Sequence, residues 1–308
     1  MNLRSWNFQG YILLLACYGF IACKSNSEQA RTEDLPPANI HPQVLQPDQN
    51  LGGDTGNQEI FSEFRTAQGP THFRAKTIDY GAGVNGISTG YYMTPVTGTA
   101  KIHPALILIH GIMGLSKKFK KNMQRFVAQG YQILAVDLYL GEVPVDASAA
   151  RELQEALLKR GKIDTIRNIT DASDYLFNQL RVKSLSVVGW DAGGSWAIST
   201  MLTFPASFAS VVNFYGPPFE LKGQESTLNV PMMHIFVHDD PSLDIKEIIT
   251  LEEALKKLAP AEVVFRKFEE VAADFLEPSL SDTQLDDEDI RAAYHHTFKF
   301  LNRYQASD

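Results

Sequence analysis

A turn rich in small residues, positions 189–194 with the sequence GWDAGG, joins an apolar run to a segment with helical spacing. A strand that enters a helix through such a turn is typical of a nucleophile elbow, where the central residue is strained and projects its side chain above the sheet. That residue is Asp191, and Gly189, Gly193 and Gly194 leave room where strand and helix approach. An aspartate is ionised near neutral pH and can attack an alkyl carbon without a base, so Asp191 is a candidate nucleophile.

Two other motif matches do not fit their usual chemistry. Residues 81–86 (GAGVNG) match the dinucleotide fingerprint GxGxxG, and residues 86–90 (GISTG) match GxSxG. Both lead into a strand-like segment, so neither has the following helix that would bind a pyrophosphate or carry a nucleophile elbow. We interpret both as part of a turn between two hairpin strands, and we expect no cofactor.

The elements that must position Asp191 are strands alternating with amphipathic helices. Several strands are unbroken apolar runs, such as ALILI at 105–109, which is typical of parallel strands covered on both faces. An opening hairpin followed by strand–helix units predicts the α/β class, with a doubly wound, mostly parallel sheet flanked by helices and a crevice at the carboxyl ends of the strands. The predicted strands are residues 73–80, 88–94, 105–110, 131–137, 185–190, 210–215, 232–237 and 262–268.

The order and spacing of these pieces resemble the dienelactone hydrolase family over most of residues 73–304. Residues 104–115 (PALILIHGIMGL) resemble its strand and oxyanion loop, and Tyr215 with Gly216 resembles the strand that follows its elbow. Asp240 with Pro241 resembles its acid-bearing segment. The resemblance implies an α/β-hydrolase fold and hydrolysis of carboxylic esters or lactones.

The resemblance also places the family's catalytic roles on unusual residue types. The nucleophile position, normally Cys or Ser, is Asp191. The acid position is Asp240, or Asp239 if the register shifts by one residue. The catalytic histidine position falls on Ala273, which cannot activate water.

The remaining parts of the implied site are the oxyanion hole and the base. The backbone N–H groups of Ile112 and Ala192 match the family's oxyanion hole, and Gly111 stands where the family has Glu. A relocated base would have to be one of the other histidines, for which a structural role is the alternative. The candidates are His110, His238, His295 and His296.

Two functions of different class follow. The one we favour is a non-catalytic domain that keeps the fold and binds a small molecule, because a fold alone does not carry activity. The alternative is an active hydrolase that uses Asp191 as its nucleophile with a relocated base. We expect no resident metal, although like charges on Asp191 and Asp240 should raise at least one pKa or recruit a cation.

Composition limits the other function classes. The 308 residues are 44% hydrophobic and 21% charged, which suits one globular domain plus a tail. The formal net charge is -8, and no basic run could follow a phosphate backbone. We therefore expect no nucleic-acid partner.

The N-terminal residues predict export. Arg4 precedes an apolar stretch at 11–22 that is too short to span a bilayer. Residues 20–23 (FIAC) resemble the lipobox of bacterial lipoproteins, in which Cys23 would become the lipidated first residue of the mature chain. Cys17 is a rival site, and an ordinary signal peptide or a short anchor is a further alternative.

This interpretation divides the chain into three parts. Residues 1–22 are the predicted lipoprotein-type signal peptide, residues 23–69 a tether rich in Pro, Asn, Gln and Asp, and residues 70–308 the hydrolase-like domain. We expect a protein of the bacterial cell envelope, bound to the membrane through an N-terminal lipid on its periplasmic or outer-membrane face. Its other expected partner is a small-molecule substrate or ligand.

Overall fold

The computed structural model describes residues 59–66, 69–82, 86–97, 103–217, 228–238, 240, 243–269, 271 and 288–305. The predicted signal peptide, Cys23 and most of the predicted tether lie outside these residues, as do Asp239 and Ala273. In the part of the chain that is described, no helix has the length and hydropathy needed to cross a membrane.

The described residues form a nine-stranded sheet in the order β1-β2-β3-β5-β4-β6-β7-β8-β9. Strands β1, β2 and β3 and the β3–β5 pair are antiparallel, whereas β5, β4 and β6 to β9 are parallel. The strands are β1 Ile60–Thr66, β2 Gly69–Gly81, β3 Ser88–Pro95, β4 Ala105–Ile109, β5 Gln132–Val136, β6 Leu185–Trp190, β7 Ser210–Phe214, β8 Met232–Val237 and β9 Val263–Phe268. The helices are α1 Lys117–Ala128, α2 Ala147–Arg160, α3 Lys162–Asn178, α4 Ala192–Thr203, α5 Ile245–Leu258 and α6 Glu288–Tyr304. The predicted doubly wound, mostly parallel sheet is confirmed.

The sheet begins before residue 70, with β1 at Ile60–Thr66, inside the segment that the sequence analysis assigned to the tether. Strand β1 pairs with β2 from Ile60 opposite Ala75 to Thr66 opposite Gly69. It lies at the edge of the sheet, and its Phe61 side chain is 64% exposed. Such an edge strand is held mainly by backbone hydrogen bonds to its neighbour, so it needs no long apolar run that a sequence pattern could reveal.

The hairpin predicted from the two rejected motifs is confirmed. Strands β2 and β3 are antiparallel, with Gly81 opposite Ser88. The GxGxxG match therefore covers the end of β2 and the connection, and Ser88 of the GxSxG match is the buried first residue of β3. A strand follows both motifs, as the sequence indicated.

Both faces of the parallel sheet are covered, which explains the unbroken apolar runs. Every residue of β4 is buried. Leu106 and Leu108 belong to the core cluster that contains residues of α1 and α6, whereas Ala105, Ile107 and Ile109 belong to the cluster that contains residues of α2, α3, α4 and α5. Since successive side chains of a strand point to opposite faces, a strand between two helical layers needs apolar residues at every position.

Three of the described helices, α1, α2 and α5, begin at side-chain caps. Ser116 accepts a hydrogen bond from the N–H of Phe119 at 3.1 Å and starts α1. Asp146 accepts bonds from Ser148 and Ala149, each at 2.9 Å, and starts α2. Caps of this kind satisfy N–H groups that lack an intrahelical partner, so they set where each loop ends.

The elbow helix α4 approaches the sheet so closely that only glycine fits. A Cβ placed on Gly193 would lie 2.5 Å from the carbonyl oxygen of Ile109 and would also collide with the carbonyl oxygen of His110. A Cβ on Gly189 would overlap the carbonyl group of Gly193. These neighbours are backbone atoms of the sheet or of α4, so they cannot move aside as a flexible side chain could.

We expect Gly193→Ala to lower the free energy of unfolding by about 3 kcal/mol, the upper part of the range for overpacking a core. The physical reason is the collision of the new Cβ with the backbone of β4. Urea unfolding followed by circular dichroism measures the change. Thr203→Ala, at the exposed end of the same helix, is the matched control and should change stability by less than about 0.5 kcal/mol. Equal stabilities for the two variants would contradict the close contact.

Candidate active site

Asp191 lies at the carboxyl end of β6, immediately before α4, in the strained conformation that the sequence predicts. Its φ is 51° and its ψ is -128°, a region that residues with a side chain rarely adopt. The backbone holds it there: the N–H of Asp191 donates to the carbonyl oxygen of Phe214 at 2.9 Å, and the N–H of Gly194 donates to that of Asp191 at 2.9 Å. The side chain consequently projects above the sheet next to the loop after β4.

The predicted oxyanion hole is filled by the side chain of Asp191 itself. The N–H of Ile112 donates to Oδ2 of Asp191 at 3.2 Å. The N–H of Ala192 lies close enough to this carboxylate to lower its pKa. The structure therefore brings Ile112, Ala192 and Asp191 together, and the N–H of Ile112 already binds an oxygen acceptor.

Gly111 provides the room for this arrangement. A Cβ at Gly111 would lie 3.2 Å from Cβ of Asp191 and 3.5 Å from its Oδ2. The glutamate that the family resemblance places here would crowd the carboxylate or repel it. A glycine at position 111 therefore leaves the space that the Asp191 carboxylate occupies and adds no second negative charge beside it.

The electrostatics of the site disfavour a charge on Asp191. Burial raises the pKa of Asp191, the hydrogen bonds from Ile112 and Ala192 lower it, and the negative charge of Asp240 raises it. Asp240 is buried and close enough to act on Asp191 in this way, as the acid position implies. Burial is the largest cause of the raised pKa of Asp191, and the like charge of Asp240 adds to it.

His110 braces the oxyanion loop. Its Nε2 accepts a hydrogen bond from the N–H of Leu138 at 3.2 Å, so the ring proton lies on Nδ1, which donates to the carbonyl oxygen of Gly111 at 2.8 Å. The ring is buried, and burial lowers its pKa. With both nitrogens engaged and the neutral form favoured, His110 is not the relocated base.

The other candidate bases are also not bonded to Asp191. His238 follows β8, and its backbone N–H donates to the carbonyl oxygen of Phe268 at 2.8 Å. The buried ring nitrogen Nδ1 of His238 has no hydrogen-bond partner within the described residues. His295 and His296 lie on α6, with ring centroids 6.0 Å apart. In the described part of the chain, no imidazole is among the hydrogen-bond partners of the Asp191 carboxylate.

A buried polar pair below the elbow was missed by the sequence analysis. Asn213 of β7 lies opposite His234 of β8, and Oδ1 of Asn213 accepts a hydrogen bond from the N–H of Gly216 at 2.9 Å. A Cβ on Gly194 would collide with this same oxygen. Burial lowers the pKa of His234 to about 4, so this ring is neutral and structural. The feature of the sequence that could have revealed this pair is a polar residue, Asn213 or His234, inside an otherwise apolar strand.

The described residues contain no group of three or more His, Cys, Asp or Glu side chains placed to hold a metal ion. Asp239 and Asp274, whose side chains could add to such a group, lie outside the described residues. The arrangement that is described is an elbow carboxylate that accepts a hydrogen bond from the N–H of Ile112, with a second carboxylate, Asp240, nearby.

We expect Asp191→Asn to stabilise the protein at neutral pH, because the folded state raises the pKa of Asp191 above its ordinary value of 3.8. A carboxyl group with a raised pKa binds its proton more tightly in the folded state, so folding stability falls as pH rises from 3.8 through the raised pKa. Asparagine carries no charge and tolerates positive φ. Urea unfolding at several pH values should therefore show a stability difference between variant and wild type that grows with pH and then levels off.

The matched control for this experiment is Asp174→Asn on the exposed face of α3. Its stability difference from wild type should stay nearly constant with pH. A difference for Asp191→Asn that is equally constant would contradict the raised pKa.

Sequence comparison relates this site to known proteins. The profile of the dienelactone hydrolase family matches residues 89–305. A carboxymethylenebutenolidase homolog from Xenopus tropicalis is 26% identical over 234 residues, which cover 74% of this chain and 93% of that protein. "Protein usf" from Aquifex pyrophilus is 27% identical over 180 residues, or 56% of this chain and 76% of that protein.

Solved structures have the same fold at lower sequence identity. A dienelactone hydrolase-like promiscuous phosphotriesterase from metagenomic libraries has a TM-score of 0.65 at 16% identity, covering 76% of this chain and 99% of that one. A putative dienelactone hydrolase from Klebsiella pneumoniae has a TM-score of 0.62 at 16% identity, covering 75% and 99%. Because the family profile spans more than half of the sequence, this chain belongs to the dienelactone hydrolase family.

Proposed function

We propose that this protein binds small molecules in the crevice above Asp191 without hydrolysing esters or lactones. The observation that carries the proposal is the hydrogen bond that the Asp191 carboxylate accepts from the N–H of Ile112, one of the two oxyanion-hole donors. In acyl transfer these donors must stabilise the oxygen that gains negative charge, and losing one such donor costs about 100-fold to 1,000-fold in rate. A site whose own carboxylate already binds the N–H of Ile112 lacks the stabilisation that this donor would supply.

The chemistry of a carboxylate also disfavours ester hydrolysis. Attack of Asp191 on an ester carbonyl would form a mixed anhydride, which is less stable than the ester from which it came. A serine or cysteine nucleophile forms an ester or thioester instead, with a histidine to take the proton. The position that the family resemblance assigns to that histidine is Ala273.

The alternative is an active hydrolase with Asp191 as nucleophile and a relocated base. The observation in its favour is the buried Nδ1 of His238, which has no hydrogen-bond partner within the described residues. Against it, the hydrogen bond to the Asp191 carboxylate within the described residues comes from the backbone of Ile112 and not from His238. The binding function is therefore the better supported of the two.

We further propose that the protein is exported and lipid-anchored in the bacterial cell envelope. The support is the order of Arg4, the apolar stretch at 11–22 and Cys23. A tether after Cys23 would let the domain stand off the membrane surface and sample small molecules there.

We expect the purified protein to hydrolyse p-nitrophenyl acetate no faster than Asp191→Ala, because the oxyanion hole is filled and the base position is an alanine. Release of p-nitrophenol, followed by absorbance at neutral pH, is the measurement. His238→Ala is the control for the alternative function. A steady-state rate that disappears in both variants would establish the active hydrolase and overturn our proposal.

The proposed binding of small molecules is tested separately, by nuclear magnetic resonance of the protein with a lactone added. γ-Butyrolactone added to ¹⁵N-labelled protein should shift the amide signals of Gly111 and Ile112 while the lactone remains intact. The shifts should differ in Asp191→Ala, since the variant empties the oxyanion hole. If the lactone leaves these amide signals unchanged in the wild type, the crevice is not a binding site for this class of molecule.

Metabolic labelling with a radioactive fatty acid tests the anchor. We expect the wild type and Cys17→Ala to carry the label and Cys23→Ala to lose it, because only Cys23 follows the complete apolar stretch. Label that persists in Cys23→Ala would refute the assignment of the lipidation site.

A further inference from the structure

We propose that Asp191 captures neutral primary alkyl electrophiles, such as alkyl halides, in one covalent step that leaves a persistent ester on the protein. This activity goes beyond binding. It rests on one part of the proposed function, namely that the site has no base to hydrolyse an ester. Its chemistry is substitution at a saturated carbon, which the filled oxyanion hole does not hinder.

The first support is the way the carboxylate is held. The hydrogen bond from Ile112 uses one of the roughly four lone-pair sites on a carboxylate, so lone pairs remain for attack. The positive φ of Asp191 and the hydrogen bond from its N–H to Phe214 fix the direction of the side chain. Asp191 is partly exposed, so a small molecule can reach it.

The second support is the balance of the reaction. One oxygen of Asp191 donates an electron pair to the alkyl carbon, and the carbon–halogen bond breaks with its electron pair to release a halide ion. No proton is transferred and no oxidant, reductant or other reactant is needed. The second oxygen becomes the carbonyl oxygen of the ester, and Oδ2 can stay in place for this role because Ile112 already donates to it.

The third support is the environment, which makes this carboxylate more reactive than others on the chain. Burial removes water from Asp191, and a less hydrated carboxylate is a stronger nucleophile. Burial also raises its pKa, so the reaction should accelerate as pH rises through that pKa. The charge of Asp240 acts on the same site, so neutral electrophiles should be preferred to anionic ones.

The fourth support is the fate of the ester. Release requires water to attack the ester carbonyl with help from a base. His110 is committed to Gly111 and Leu138 through both of its nitrogens, and no imidazole in the described residues bonds to Asp191. The alkyl group should therefore remain on the protein.

The test is incubation of the purified protein with 1-iodobutane, followed by intact mass and peptide mapping. We expect one butyl group on Asp191, released by hydroxylamine as an ester should be, and formed at least about tenfold faster than on the exposed carboxylate Asp174. The anionic probe 4-iodobutyrate should label Asp191 more slowly. Asp174→Asn, the matched control, should keep the label, and Asp191→Asn should lose it while retaining the wild-type circular dichroism spectrum.

The outcomes separate this inference from the proposed function. Absence of a butyl group on Asp191 in folded wild-type protein overturns the inference, and the esterase result stands unaffected. Equal labelling of Asp191 and Asp174 also overturns it. Continuous production of 1-butanol that depends on Asp191 would refute both the persistent ester and the proposed lack of turnover.

A second variant covers the case in which Asp191→Asn does not fold. Gly111→Ala would place a Cβ 3.2 Å from Cβ of Asp191, so the Asp191 side chain would have to shift by a few tenths of an ångström and its hydrogen bond to Ile112 would weaken. We expect labelling at Asp191 to slow at least about tenfold in this variant, because effective molarity depends on orientation. An unchanged labelling rate would show that the hydrogen-bonded position of Asp191 is irrelevant, against the inference.

Discussion

The site depends on the close approach of helix α4 to the ends of strands β4 and β6. Gly193 lies directly against the carbonyl oxygens of β4, and Gly189 lies against the backbone of Gly193. A turn this tight forces Asp191 to a positive φ and brings the N–H groups of Ile112 and Ala192 to one point. The position of the carboxylate therefore follows from backbone packing.

Two buried polar residues, Asn213 and His110, hold the turns around Asp191 in place. Below the elbow, Asn213 binds the N–H of Gly216 and occupies the space beside Gly194. Next to it, His110 connects the loop after β4 to Leu138 after β5. Oδ1 of Asn213 and both ring nitrogens of His110 have defined partners, and such buried hydrogen bonds favour one arrangement because alternatives would leave these atoms unsatisfied. The fold thus preserves the architecture of a catalytic site around a residue that changes its chemistry.

Much of this could be predicted from the sequence, because the signals were repetitive or local. Unbroken apolar runs such as residues 105–109 located the covered strands, and the glycines around Asp191 indicated a strained turn. Strand β1 was missed because an edge strand depends on backbone pairing with β2 rather than on apolar composition. The occupation of the oxyanion hole was missed because residue spacing does not encode the direction of a side chain. The role of His110 required the identities of both its hydrogen-bond partners, which lie on different loops.

The edge position of β1 has a mechanical consequence. Any tension along the chain that precedes Ile60 enters the sheet at the pair Ile60 and Ala75, the end of β1 farthest from its turn into β2. A pull across the strands would break these backbone bonds one after another, whereas a pull along them would load the whole β1–β2 pair at once. The elbow at β6 is separated from β1 by β2, β3, β5 and β4, so β1 would detach first and limit the force that reaches Asp191. Detachment of β1 would therefore limit the force that the preceding chain can transmit to the site.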